Sequence, residues 1–286
     1  MDQALERKHW APATQERAVE RFYSHGAESF GEFHGGYLNF GLWEEGISDY
    51  LAAAENLVHR LGEFLGLKPG SRLVDVGCGM GPQDVYLFRK FGPIEIDAVD
   101  ITWKHIELGR RRVRLAGCDG HVRFLHGSAV DLPFADQTFT SAMSIEGTIH
   151  FYTRERFLLE TLRVLKPGGV VAIADYTIKR TPRNAFERAL LRLARRLWRI
   201  PLENVVTAEA YRRTLTRLGF VNVSLQEVGA LTYPGYYFEQ RRCLPELARI
   251  RGFVAGRLGH LIDLVAYKAY TSGLVDYVLV RAEKPA

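Results

Sequence analysis

From residue 72 onward the chain alternates short runs rich in Val, Ile, Leu and Phe with longer segments whose apolar residues recur every three or four positions. The short runs are bounded by polar residues or glycine and predict strands at 72–76, 94–99, 122–125, 139–145 and 169–175. The longer segments predict helices at 82–91, 102–116 and 153–165. The last of these stops at Lys166-Pro167-Gly168-Gly169, because proline and paired glycines cannot continue a helix. Strand and helix in alternation are the pattern of a parallel sheet covered by helices. Beyond Tyr176 the rhythm loosens into helices at 184–199 and 207–218, a strand at 220–228, a helical stretch at 236–270 and a last strand at 274–280. The first 70 residues read as helical, with Ser48-Asp49 opening an amphipathic helix through Leu51, Leu57, Leu61 and Leu65. The expected organisation is an N-terminal helical cap at 1–70 and an α/β core at 71–286, with lid elements at about 180–206 and 230–272.

Composition narrows the partners. Thirty-eight Lys and Arg against 33 Asp and Glu give +5, far from the basic excess of a dedicated nucleic-acid binder. Cys78, Cys118 and Cys243 are odd in number and far apart, which argues against a disulfide framework or a CxxC zinc site, and no compact ligand motif calls for a metal. The N-terminus lacks an apolar leader and no stretch reaches the ~18 apolar residues of a membrane span. The expectation is a cytoplasmic enzyme.

Residues 73–81, LVDVGCGMG, form an apolar strand ending in Gly77, Gly79 and Gly81 and passing straight into a helix. Glycine lets the backbone turn sharply and approach a ligand, and free amides at the next helix start favour a negative group such as a carboxylate. A tight strand-to-helix turn needs glycine with or without a ligand, so this cluster alone does not decide. Asp100 ends the second strand about 20 residues on, where an acidic side chain accepts from ribose hydroxyls. It could equally cap the helix that follows. A nucleoside ligand accounts for both features together. Dinucleotide turns read GxGxxG, whereas these glycines alternate, which places NAD second.

With these motifs in view, residues 35–176, roughly half the chain, resemble class I small-molecule methyltransferases. "LVDVGCGMG" resembles their first motif, "AVDIT" the acidic second, "GSAVDLPFADQTF" the adenine loop, and "RVLKPGGVVAIADY" the run into the fifth strand. "SIEGTIHF" is similar to a segment of sterol, tocopherol-type and some alkaloid methyltransferases, and "GGYLNFGLW" to one of bacterial macrolide methyltransferases. The resemblance implies a Rossmann-like seven-stranded sheet of order 3-2-1-4-5-7-6 with the final strand antiparallel, and S-adenosyl-L-methionine as cofactor. It implies that Asp75, Gly77, Gly79 and Gly81 face the methionine part, Asp100 the ribose, and Thr102 and Trp103 the adenosine edge, with Ser128, Ala129 and Ser144 completing the contacts. Where the family commonly has Asp before Ala in the adenine loop, this chain has Ser128-Ala129.

Methyl transfer is a one-step in-line displacement that gains most from alignment and exclusion of water. An acceptor that must lose a proton needs a base. Glu146 and His150 follow the fourth strand, and their spacing would put both on one helical face. Glu146 suits a carbon acceptor, His150 a hydroxyl. Tyr37, Phe40 and Trp43 upstream and Tyr233, Tyr236, Tyr237 and Phe238 downstream could wall an apolar acceptor site, although such clusters are more often core. Arg188, Arg192, Arg195, Arg196 and Arg199 read as the solvated face of an amphipathic helix, with peripheral membrane contact or a grip on an acidic substrate as sharper options. The expected reaction is methylation at oxygen or carbon of an apolar small molecule such as a polyketide or terpenoid. A cyclase on the same fold and a nucleic-acid methyltransferase are the alternatives, and a homodimer is left open.

Overall fold

In the computed structural model, which describes residues 12–24 and 34–286, all seven strands lie in one sheet of order β3-β2-β1-β4-β5-β7-β6. They are β1 (Arg72–Val76), β2 (Glu95–Asp100), β3 (Val122–His126), β4 (Phe139–Ile145), β5 (Leu165–Ile178), β6 (Val221–Glu227) and β7 (Val275–Glu283). The first five pair in parallel, and β7 runs antiparallel between β5 and β6. The helices are α1 (Pro12–Ser24), α2 (Tyr50–Leu65), α3 (Pro82–Phe91), α4 (Trp103–Ala116), α5 (Arg154–Val164), α6 (Ala185–Leu197), α7 (Ala208–Arg217), α8 (Tyr233–Arg242), α9 (Leu244–Arg251) and α10 (Phe253–Thr271). Among the described residues no helix is long and apolar enough to cross a membrane.

The period-2 pattern of the strands divides the core into two layers. Leu73 joins Leu57 and Leu61 of α2, Val85 of α3 and Ile106 of α4 on one face of the sheet. Val74 and Val76 join Phe157 of α5 and Tyr211 and Leu215 of α7 on the other. Order reverses between β1 and β4, and the crevice beyond the carboxyl ends of these strands is where a ligand fits in such a sheet.

Several boundaries differ from the sequence reading. The stretch 236–270 is three helices beginning at Tyr233. Pro245 opens α9 and Gly252, at φ 84°, separates it from α10, two residues that break helical hydrogen bonding. β5 starts before the predicted 169: Leu165 already pairs with Phe139, and Lys166–Gly169 bulges before Val170 pairs with Ser141. α2 is capped by Asp49, whose side chain accepts from the Ala52 amide, but Leu51 is exposed and the buried stripe runs through Leu57, Leu61 and Leu65. Of the first 70 residues, 12–24 and 50–65 are helical and 34–49 and 66–70 are not; the helices expected at 1–11 and 25–33 lie outside the described residues.

Candidate active site

A cavity of about 760 Å³ opens above the carboxyl ends of β1, β2 and β4, beneath α1 and the helices between β6 and β7. Gly77, Gly79, Asp100, Thr102 and Ala129 line one half, and Glu146, His150, Phe40 and Tyr236 the other. At Gly77, φ 77°, a Cβ would meet the Phe151 ring at 3.1 Å and Gly147 Cα at 3.2 Å, so glycine is what allows β1 to turn against the β4 loop. Asp100 is fixed by its own turn: Oδ2 accepts from the Gly79 amide at 2.9 Å and Oδ1 from the Thr102 amide at 2.7 Å, with His105 Nδ1 3.3 Å from Oδ1. Burial would raise its pKa, but His105 and the two amides outweigh burial and hold it below the usual carboxylate range. Asp100 therefore presents an ionised acceptor to the cavity.

Other sequence candidates sit behind this lining. Asp75 is buried and accepts from Gln83 Nε2 at 2.9 Å, and Gln83, which lines the cavity, also donates to the Cys78 carbonyl at 2.5 Å. Burial pushes Asp75 and its neighbour Asp84 up in pKa. Gly81 packs on Phe124, whose ring would stand 2.1 Å from an added Cβ. Ser144 Oγ donates to the Val76 carbonyl at 2.6 Å, tying β4 to β1 below the floor. Ser128 Oγ donates to Glu16 of α1 at 2.5 Å, and Trp103 is 47% exposed with its indole N–H on Glu107.

The other half of the cavity is built around Glu146. It stands just after β4 at φ 57° and belongs to an irregular turn that also carries His150, whose amide donates to the Gly147 carbonyl. The predicted shared helical face is absent; loop geometry brings both residues to the cavity instead. Glu146 Oε1 accepts from the Phe40 amide at 2.6 Å and the Tyr277 hydroxyl at 2.9 Å, and Oε2 accepts from the Tyr176 hydroxyl. Burial raises its pKa to about 7, against the lowering effect of these donors. Both tyrosines are themselves pushed up, by burial first and then by the Glu146 charge, and remain donors. His150 Nε2 lies 2.9 Å from the Tyr23 hydroxyl of α1. Burial lowers the His150 pKa to about 4, outweighing nearby acceptors that favour its charged form, so the ring is neutral at pH 7.

The turn is braced from below. Asn204 Nδ2 donates to the carbonyls of Thr148, Ile149 and Phe151, and its Oδ1 accepts from the Arg154 amide at 2.9 Å. Buried Arg154 pairs with Asp175 at 2.7 Å, and Asp175 also accepts from Thr148.

Among the aromatic candidates, Phe40 and Tyr236 stack face to face at 4.1 Å on the cavity wall. Trp43 supports them, donating to the Phe40 carbonyl and packing on Gly235. Tyr37 is buried in the core, Tyr233 stacks on Tyr270, Tyr237 stacks on Tyr267, and Phe238 is 54% exposed. Of the basic helix, Arg188, Arg192 and Arg196 face solvent, Arg195 donates to the Ile200 carbonyl, Arg199 lies over Phe22, and Trp198 at its end reaches the cavity.

The sequence reading did not pick out Tyr23, Tyr277, Gln83 or Asn204. Tyr23, Tyr277 and Asn204 act through partners distant in sequence, which no local pattern marks, whereas Gln83 bonds Asp75 and Cys78 of the adjoining glycine motif and its place just after Gly81-Pro82 was the available signal.

The family model described as a methyltransferase domain matches residues 73–169. Erythromycin 3''-O-methyltransferase of Saccharopolyspora erythraea is 33% identical over 221 residues, covering 76% of this chain and 72% of that enzyme. This chain belongs to the methyltransferase family. Two solved structures share the fold of this methyltransferase. The cyclase SpnF superposes with a TM-score of 0.77 at 23% identity, covering 95% of this chain and 97% of that one. Geranyl diphosphate C-methyltransferase from Streptomyces coelicolor A3(2), in complex with S-adenosyl-L-homocysteine, superposes with a TM-score of 0.75 at 21% identity, covering 96% and 100%. The cofactor of this methyltransferase is S-adenosyl-L-methionine. The cavity fits it: an ionised Asp100 for a ribose, a glycine turn where side chains would collide, and one space continuous from Asp100 to Glu146.

Proposed function

We propose that this methyltransferase methylates a hydroxyl oxygen of an apolar small molecule, a polyketide- or terpenoid-like natural product, with Glu146 as the base in place of the His150 expected for a hydroxyl, because burial lowers the His150 pKa to about 4 and leaves it a weak base. The observation that carries this reading is the Glu146 carboxylate on the cavity wall, held by three donors and with a pKa near 7. A base is most useful when its pKa lies close to the working pH. The 33% identity to an enzyme named as an O-methyltransferase supports oxygen as acceptor.

Bound S-adenosyl-L-methionine supplies an electrophilic methyl group on a sulfonium. Gly77, Gly79 and Gln83 would face its methionine part, Asp100 its ribose, and Thr102 and Ala129 its adenosine edge. Glu146 takes the hydroxyl proton as the oxygen–methyl bond forms, and Tyr176 and Tyr277 keep the carboxylate oriented. Neutral His150, with Tyr23, positions the acceptor by hydrogen bonding. Phe40 and Tyr236 exclude water and contact the apolar body of the substrate. Of the expected cap at 1–70, the described residues 12–24 and 34–70 serve in that role, and 180–206 and 230–272 serve as lids. Gln15 of α1 supports this organisation by donating to both the His150 and Arg199 carbonyls.

The test is incubation with methyl-labelled cofactor and a panel of hydroxylated macrolides, aromatic polyketides and terpenoid alcohols, followed by location of the label. Label on oxygen is expected. Label on carbon would reassign Glu146 to removing a proton from a carbocation, and a cyclised product without label would favour the reading that the likeness to SpnF raises.

A further inference from the structure

Phe40, Tyr176 and Trp198 are walls of two spaces. One is the main cavity; the other is a separate cavity of about 70 Å³ behind them, between α6, α10 and the ends of β5 and β7. Ala194 of α6 and Ala266 and Ala269 of α10 form its far side, with Ile149 and Leu191 beside them.

The lining of this second space is almost wholly apolar, and its polar residues are engaged: Arg195 donates to the Ile200 carbonyl, and Asn204 to three carbonyls of the turn. Thr177 Oγ1 is buried without a hydrogen-bond partner. A lone hydroxyl does not hold a water, which needs two to four polar partners. An apolar crevice of this kind leaves dispersion contacts along its lining unmade, which an apolar group entering it would supply.

We propose that this space is a specificity subsite that takes a short alkyl branch of the acceptor. The inference rests on the acceptor being an apolar small molecule. Size sets the branch. A cavity of ~150 Å³ accommodates benzene, so one of about 70 Å³ holds roughly two to four carbon atoms, an ethyl or isopropyl group. Position sets where it is attached. Tyr176 lies between the two spaces, its hydroxyl on Glu146 and its ring against the small cavity. The branch therefore sits about one ring's width from the reacting hydroxyl. Trp198, at the carboxyl end of α6, is the part of the partition carried by a lid rather than by the sheet, and its movement opens the way.

Binding of 3- and 4-alkylphenols to the protein loaded with S-adenosyl-L-homocysteine tests this by calorimetry, without requiring turnover. In at least one series, affinity is expected to rise about fourfold per added carbon from hydrogen to isopropyl and to fall at hexyl. Ala194→Leu fills the space and should flatten the rise, and Ala266→Val should halve its span. Both variants should keep wild-type affinity for S-adenosyl-L-homocysteine, which verifies folding and the cofactor half. A flat wild-type series, no binding, or an equal rise in both variants overturns the subsite. The labelled-methyl screen judges the acceptor reading separately, since a methylated hydroxyl with a flat phenol series would retain that reading and remove only the subsite.

Discussion

The hydroxyl of Tyr277 donates to Glu146 Oε1 across 2.9 Å, so the last strand of the sheet supplies a donor to a carboxylate just beyond the fourth. Burial raises the Glu146 pKa and Tyr277 opposes the rise. Rate should therefore increase with pH through about 7 and level off above it, as the carboxylate ionises. Tyr277→Phe removes a donor to the charged form and should move the midpoint of kcat/KM upward by about 1–2 pH units. An unmoved midpoint would separate Glu146 from the titration.

Glu146→Gln keeps the size of the side chain and removes the base. Turnover should fall by about 10²–10⁴ while affinity for S-adenosyl-L-homocysteine stays within a factor of about two. Wild-type turnover would end the assignment. The same substitution has a stability signature. The folded chain holds the Glu146 proton more tightly than the unfolded chain, so this group's contribution declines as pH rises from the ordinary carboxylate range to about 7. Urea unfolding at several pH values should show that decline in the wild type and lose it in the variant.

Asp100→Asn should weaken cofactor binding about 10- to 100-fold, the scale of a hydrogen bond to a charged group. Calorimetric titration with S-adenosyl-L-homocysteine reads this directly. Unchanged affinity would leave Asp100 with only its role in the Gly79 and Thr102 turn.

Asn204→Ala removes a side-chain donor from three carbonyls of the turn, those of Thr148 and Ile149 buried, and should cost about 1–3 kcal/mol, read as a lower urea midpoint. Because those carbonyls belong to the turn holding His150, kcat should fall more than cofactor affinity. A variant of wild-type stability would show that the turn holds itself.

The sheet was legible because its boundaries coincide with strong punctuation. Helix 82–91 and strands 72–76 and 139–145 match end to end, the helix lying between Gly81-Pro82 and Gly92-Pro93. Pro245 and Gly252 interrupt the apolar periodicity of 236–270, and three helices stand where that periodicity alone reads as one. The site was legible only in part. Glu146 and His150 stood out through motif resemblance, yet the donors that tune Glu146 lie 30, 106 and 131 positions away. Helical periodicity also misled, because Glu146 adopts a positive φ that no repeat pattern records. Several aromatic candidates turned out to brace the wall rather than form it: Trp43 packs behind Phe40, and Tyr233 on Tyr270.

One helix is fastened to both halves of the cavity at once. Glu16 of α1 bonds Ser128 on the cofactor side, while Gln15 and Tyr23 bond His150 and its neighbourhood on the acceptor side. Were spent cofactor and methylated product to leave on the side that α1 covers, they would share one exit, held shut by these bonds. If detaching α1 is slower than transfer, the first turnover outruns all later ones, and rapid-quench kinetics would record a burst of one methyl per protein. Glu16→Ala and Gln15→Ala would then raise the steady-state rate although neither residue touches the reacting atoms. Linear product formation from the first turnover, in wild type and variants alike, would place the slow step in the transfer itself.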